Sequence, residues 1–159
     1  MNSLIIAVIL TLLPLVELRG GLPLALINAS KYGVSQLTIF LIIVLLNIFL
    51  IFLIFFFLDN IHKIFMRFNF YKNFYSFYLK KMQKKIIIFE KSHNSIGFFA
   101  LFLFVAIPLP LTGAYTGTFL SWILGLERKR SIIAIALGVL TAGVIIYLGT
   151  LGIISFLTK

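Results

Sequence analysis

The apolar positions of this chain fall into four stretches, and two of the four are broken in the middle. Leu4 to Leu13 reads as a half-length helix, about 15 Å at ~1.5 Å per residue, against a hydrocarbon core of about 30 Å. Pro14, Glu17, Arg19, Gly20, Gly21 and Pro23 then interrupt the pattern. Gly20 and Gly21 predict a turn, and Leu22 to Ala29 a second half-helix with Pro23 at an early position. Residues 1–31 are therefore expected to form a re-entrant hairpin, with one kinked helix from Leu4 to Ala29 as the alternative. Gln36 to Leu58 has no break and predicts a transmembrane helix (36–58). Its bulky Leu, Ile and Phe residues suit a lipid-facing helix, and Asn47 suits an interhelical hydrogen bond.

Residues 59–94 change character. Lys63, Arg67, Lys72, Lys80, Lys81, Lys84, Lys85 and Lys91 alternate with Ile61, Ile64, Phe65, Phe68, Phe74, Tyr75, Tyr78, Leu79 and Met82. The spacing predicts an amphipathic basic linker at the membrane surface. Residues 95–126 repeat the opening theme. Gly97 to Ile107 is an apolar half-helix, Pro108 and Pro110 break it, and Leu111 to Gly125 runs back. Residues 131–157 form a last transmembrane helix with small residues at Ala134, Ala136, Gly138, Ala142, Gly143, Gly149 and Gly152. These permit close contact inside the bundle or in a homo-oligomer.

Composition places the pattern in a membrane. The chain is 62% hydrophobic and 11% charged, whereas soluble domains are about a quarter charged. Its net charge of +10 would suggest nucleic acid in a soluble protein. Here the basic residues lie between apolar spans, which points to anionic lipid headgroups and no nucleic acid. The linker charges predict a cytoplasmic linker. Arg128, Lys129 and Arg130 reach the same side only if residues 95–126 enter and leave on one face. The first hairpin then enters from outside, with Lys31 and Lys159 external. The expected fold is a single all-α integral membrane domain, multi-pass in the cell membrane. It is an inverted repeat of re-entrant broken-helix hairpin plus transmembrane helix.

Candidate chemistry concentrates at the two breaks. A charge at the bilayer centre costs about 2.5–3.5 kcal/mol on insertion scales, so Glu17 and Arg19 are expected inside protein or beside a cavity. Half-helix N-termini after Gly20-Gly21 and after Pro110 favour anions. Arg19 adds a donor fork matched to phosphate or carboxylate. Glu17 reads either as an ion-pair partner of Arg19 or as a proton carrier. Thr112, Tyr115 and Thr116 read either as headgroup donors or as partners for the broken backbone. Gly113 and Gly117 form a GxxxG pair. Cysteine is absent, and His62 and His93 are isolated. No Walker loop, nucleophile elbow or metal-ligand cluster occurs. The expectation is a non-enzyme with neither cofactor nor metal.

PLVELRGGLP in the first tip and IPLPLTGAYTG in the second resemble the small multidrug export protein family. Its members pair a P-x-x-E-x-R-G-x-x-P tip with a Pro-rich, Thr-Gly-containing one. That family is similar to the DedA superfamily. The resemblance implies two facing re-entrant hairpins and, in some relatives, proton-dependent flipping of polyprenyl-phosphate carriers or lipid scrambling. It implies Glu17 as the essential acid and Arg19 as the substrate-side cation. DedA proteins usually carry arginines near the second hairpin, and this chain has none between Ser95 and Gly125. The leading expectation is proton-linked translocation of an anionic or polyprenyl-phosphate-type lipid headgroup. The alternatives are a small-molecule (multidrug) exporter and a non-transporting membrane-organising protein.

Overall fold

The computed structural model describes residues 3–14, 16–29, 31, 33–65, 94–109 and 111–157. They form helices α1 (Ser3–Leu12), α2 (Glu17–Ile27), α3 (Gln36–Phe65), α4 (Asn94–Ala106), α5 (Ala114–Ile123) and α6 (Arg128–Leu157). Two pairs of short helices, α1–α2 and α4–α5, pack around two 30-residue helices, α3 and α6. At about 1.5 Å per residue each long helix measures about 45 Å, and each short one about 15–20 Å. Both long helices are long and apolar enough to cross a membrane.

The first break differs from the one expected. Proline has no N–H to continue a helix, so Pro14 ends α1. Leu13 N–H closes tightly on Leu10 O (3.1 Å), and the Val16 and Glu17 N–H groups both turn to Leu13 O (3.2 and 3.0 Å). The turn therefore lies at Leu13 to Val16. Gly20 and Gly21 are not a turn but part of α2, where Gly21 allows close approach to α1 and Gly20 lies against Val16 at the start of the helix. A Cβ on Gly21 would overlap Thr11 Oγ1 and stand 2.8 Å from Ala7 O. The second half-helix runs from Glu17 to Ile27 rather than from Leu22, with Pro23 inside it. Pro23 cannot donate to the Arg19 carbonyl four residues earlier.

The second break lies close to the one expected. Beyond α4, Ile107 N–H still reaches Leu103 O (3.1 Å), and Pro108 stands in the bend that follows. Thr112 N–H bonds Leu109 O (3.3 Å), and Gly113, in extended conformation, leads into α5. Pro110 lies outside the described residues. Helix α3 continues past Leu58 and takes residues 59–65 of the expected linker into its last turns. The rest of the linker, 66–93, lies outside the described residues, His93 included.

Burial corrects a second expectation. The Phe-rich α3 is the better covered of the two long helices. Ile39, Ile43, Asn47, Leu50, Ile51 and Ile54 form its inner face, while Leu45, Phe49, Phe52 and Phe56 point outward. Helix α6 uses some of its small residues, but not all, for close contact. Ala134, Ala142 and Gly138 are inside, whereas Gly149 and Gly152 have nothing near them. Its C-terminal half, with Leu148, Ile153 and Phe156, outruns the short helices. An outer surface of Leu, Ile and Phe is what lipid tails solvate, and the protein is a membrane protein.

One end of the bundle is tied by polar contacts. Asp59, near the end of α3, accepts from Trp122 Nε1 on α5 (3.0 Å) and from Arg128 Nη1 on α6 (2.6 Å). Arg128 also lies 4.9 Å from the centre of the Phe55 ring, and His62 meets Trp122 edge-on. The ion pair is half exposed, so its own contribution is small, about 0–1 kcal/mol. It places the end of α3, the end of α5 and the start of α6 together.

Helix α4 also packs closely on α6. A Cβ on Gly138 would stand 2.7 Å from Val105 Cβ and 2.9 Å from the Phe102 carbonyl. Gly138→Leu is expected to destabilise the protein by about 1–3 kcal/mol through overpacking. Gly149→Leu, on the same helix but in open space, is expected to leave it unchanged. Thermal unfolding of the two variants in detergent tests the pair.

Candidate functional site

The two tips meet. The Ala114 N–H donates to Glu17 Oε2 (2.9 Å) and the Tyr115 N–H donates to Glu17 Oε1 (3.0 Å). The first N–H groups of a helix have no partner within it and carry its positive dipole end. A carboxylate from the opposite hairpin satisfies two of them here. Glu17 is buried, and a hydrogen bond to a charged group is worth about 1.5–3 kcal/mol. This contact holds the two hairpins together and keeps a buried carboxylate solvated by protein instead of water.

Local structure supports the contact from both sides. Glu17 has a left-handed backbone (φ 47°), rare for a residue with a side chain, and Leu111 in the other tip has φ 68°. Backbone strain of this kind costs about 1–3 kcal/mol and persists where surrounding structure compels it. Opposite Glu17, Gly113 leaves room for the carboxyl. A Cβ there would overlap Glu17 Oε2 and Cδ. Gly113 and Gly117 are thus both close-approach positions but not one shared face. Gly117 faces Val105 of α4 and Ile135 of α6.

Arg19 reaches the same tip by another route. Its Nη2 donates to Thr112 Oγ1 (2.6 Å) and, at 3.4 Å, to Ile107 O. The Thr112 hydroxyl lies 2.8 Å from Ile107 O and 2.9 Å from Leu109 O, to one of which it donates while accepting from Arg19. Glu17 and Arg19 therefore do not form an ion pair with each other; each is held by the opposite tip. Tyr115 adds a third tie, its hydroxyl donating to Leu12 O at the end of α1 (2.7 Å). Thr116 donates to Gly113 O (3.4 Å) within its own turn. Gly20 and Gly21 stand one and two residues past Arg19 in α2; Gly20 faces Val16 at the start of its own helix and Gly21 faces α1, neither the second tip.

The tips converge close to the middle of both long helices. A small cavity beside Glu17 and Arg19 is also lined by Gly113, by Asn47 of α3, and by Val139 and Ala142 of α6. The sequence pointed to a free helix start in the second tip but not to the Leu12 and Ile107 carbonyls, backbone groups that no side-chain pattern marks. It also left Asn47 outside the site; the Asn47 amide donates to Ile43 O of its own helix (3.0 Å) and not to another helix. Its solitary polarity in an apolar helix was the available signal. Among the described residues, no group of His, Cys, Asp and Glu is arranged to hold a metal.

Gly113→Ala is expected to push the Glu17 carboxyl off the start of α5 and leave two N–H groups without a partner, at about 1–3 kcal/mol each. Adding Glu17→Ala relieves the overlap, so the two changes are expected to be non-additive. Unfolding temperatures of the single and double variants measure the coupling.

No curated protein and no solved structure matches the chain. A family model described as "Putative small multi-drug export protein" matches residues 17–145, a segment that begins at Glu17, just after the first break, and includes Arg19, the second tip and most of α6. By that match the chain belongs to the small multi-drug export protein family.

Proposed function

We propose that the protein is a transporter, not an enzyme, and moves an anionic lipid headgroup of the polyprenyl-phosphate type, linked to protons. The observation that carries this reading is the seat of the Glu17 carboxylate on the α5 N-terminus. A phosphate oxygen would bind the same donors. Glu17 and an anionic headgroup therefore compete for the Ala114 and Tyr115 N–H groups. With the carboxylate seated, the site is closed to anions. A proton on Glu17 removes its charge, releases the two N–H groups and leaves Arg19 as the cation beside them. Arg19 then exchanges Thr112 and the Ile107 carbonyl for the headgroup.

This reading takes α1–α2 and α4–α5 as re-entrant hairpins of an inverted repeat in a multi-pass protein, the arrangement of the DedA superfamily. Three features support it. The short helices are about half a hydrocarbon core in length. The tips meet beside the middle of α3 and α6. The end of α5 and the start of α6 return to Asp59 at the end of α3. Broken helices facing each other at mid-depth are how secondary transporters build substrate sites. Membrane lipids are then both solvent and substrate.

The family description favours a second reading, export of small lipophilic compounds. The two differ in what they ask of Arg19. An exporter of cations needs the Glu17 carboxylate and has no use for a neighbouring guanidinium.

In liposomes carrying labelled polyprenyl phosphate, Glu17→Gln and Arg19→Ala are each expected to slow flipping by about tenfold or more, at least ~1.4 kcal/mol of barrier. Wild-type rates in both variants would sink the mechanism. Protection of cells against lipophilic cations that needs Glu17 but survives Arg19→Ala would establish the exporter instead. Because the chain has no cysteine, single cysteines replacing Ser92 and Glu127 report topology. Both are expected to react with a membrane-impermeant reagent only from the cytoplasmic side. Labelling of position 127 from outside would rule out the second re-entrant hairpin.

A further inference from the structure

Two buried polar atoms beside the site have no hydrogen-bond partner among the described residues: Asn47 Oδ1 and Arg19 Nε. One is an acceptor and the other a donor. Both residues line the same cavity, together with Glu17, Leu18, Gly113, Val139 and Ala142. Asn47 is fully buried. Its orientation is set by its own helix, because only the amide nitrogen can donate to Ile43 O (3.0 Å). The oxygen is thereby committed to the remaining direction. A buried polar group without a partner costs about 1–3 kcal/mol, and two in one small cavity call for a common partner.

We infer that the cavity binds one resident water molecule, held between Asn47 Oδ1 and Arg19 Nε, and that Asn47 is a positioning residue for Arg19. The cavity has room for about one water. Water can donate to the Asn47 oxygen and accept from the Arg19 Nε–H at once. Its second hydrogen is left to donate to Glu17, which lines the same cavity and whose oxygens each accept one N–H and keep further acceptor capacity. A metal cation would meet the guanidinium and is disfavoured; an anion would meet the Asn47 oxygen and the Glu17 carboxylate. The small side chains of Val139 and Ala142 leave the space. The water links α3 to the junction of the tips and holds the guanidinium at Nε, while Thr112 holds it at Nη2. The inference rests on these buried atoms alone and does not depend on what the protein transports.

Magic-angle-spinning NMR of the full chain in liposomes, with magnetisation transferred from water to ¹⁵N-labelled arginine, tests it. The expected result is transfer from a bound water to the Arg19 Nε–H, lost in Asn47→Leu together with a shift of the Arg19 Nε signal. No transfer to Nε in the wild-type protein would overturn the inference, as would transfer that persists in Asn47→Leu. The wild-type spectrum decides the question even if that variant fails to fold. Unfolding temperature gives an independent sign. Removing an unpartnered oxygen from a dry cavity would raise it, whereas removing the water's acceptor is expected to lower it. A raised temperature would overturn the inference. A dry cavity would leave the headgroup reading standing, and failure of lipid flipping would leave the water standing.

Discussion

The bond from the Glu17 carboxylate to the first N–H groups of α5 is the constraint on which the rest of the arrangement depends. It joins a buried acid to a buried helix start, two groups that would each be costly alone. Neither hairpin can satisfy its own. The left-handed backbone at Glu17 turns the carboxylate toward the partner tip, and Gly113 gives it space there. Arg19 and Tyr115 then brace the same junction through Thr112, the Ile107 carbonyl and the Leu12 carbonyl. Polar groups that would be intolerable facing lipid become the adhesive between two broken helices.

Around that junction the long helices divide their labour along their length. Helix α6 meets the short helices with Ala134, Gly138 and Ala142, so backbones come close and the tips are not held apart. Helix α3 offers a stripe of Ile and Leu to the same core and Phe to the outside. The Asp59, Trp122 and Arg128 contacts close one end of the bundle far from the tips. This leaves the junction of the tips as the place where the charged Glu17 and Arg19 of the first hairpin meet the backbone N–H groups and Thr112 of the second. A proton or an anion arriving there would act on the contact that joins the halves.

The sequence by itself determined the class and the parts. Apolar runs without charge make α3 and α6, because lipid demands helices whose backbone is internally bonded. Pro14 and Pro108 end α1 and α4 at places readable to within a few residues, because a missing N–H is a local fact. Glu17, Arg19 and Thr112 stood out because charge and polarity are rare in such surroundings. Tertiary structure decided how the parts are used. Gly20 and Gly21 look like a turn in isolation, but both lie within α2, and Gly21 is where α1 comes close. Glu17 and Arg19, two residues apart, look like an ion pair, yet each is held by the opposite tip. Asn47 became part of the site only because α3 packs against it. Each of those outcomes depends on a neighbour brought close by the packing of the helices, from a few to about a hundred positions away, or on a backbone group. Neither leaves a trace in local spacing, because the free energy that selects the contact exists only once the helices are packed.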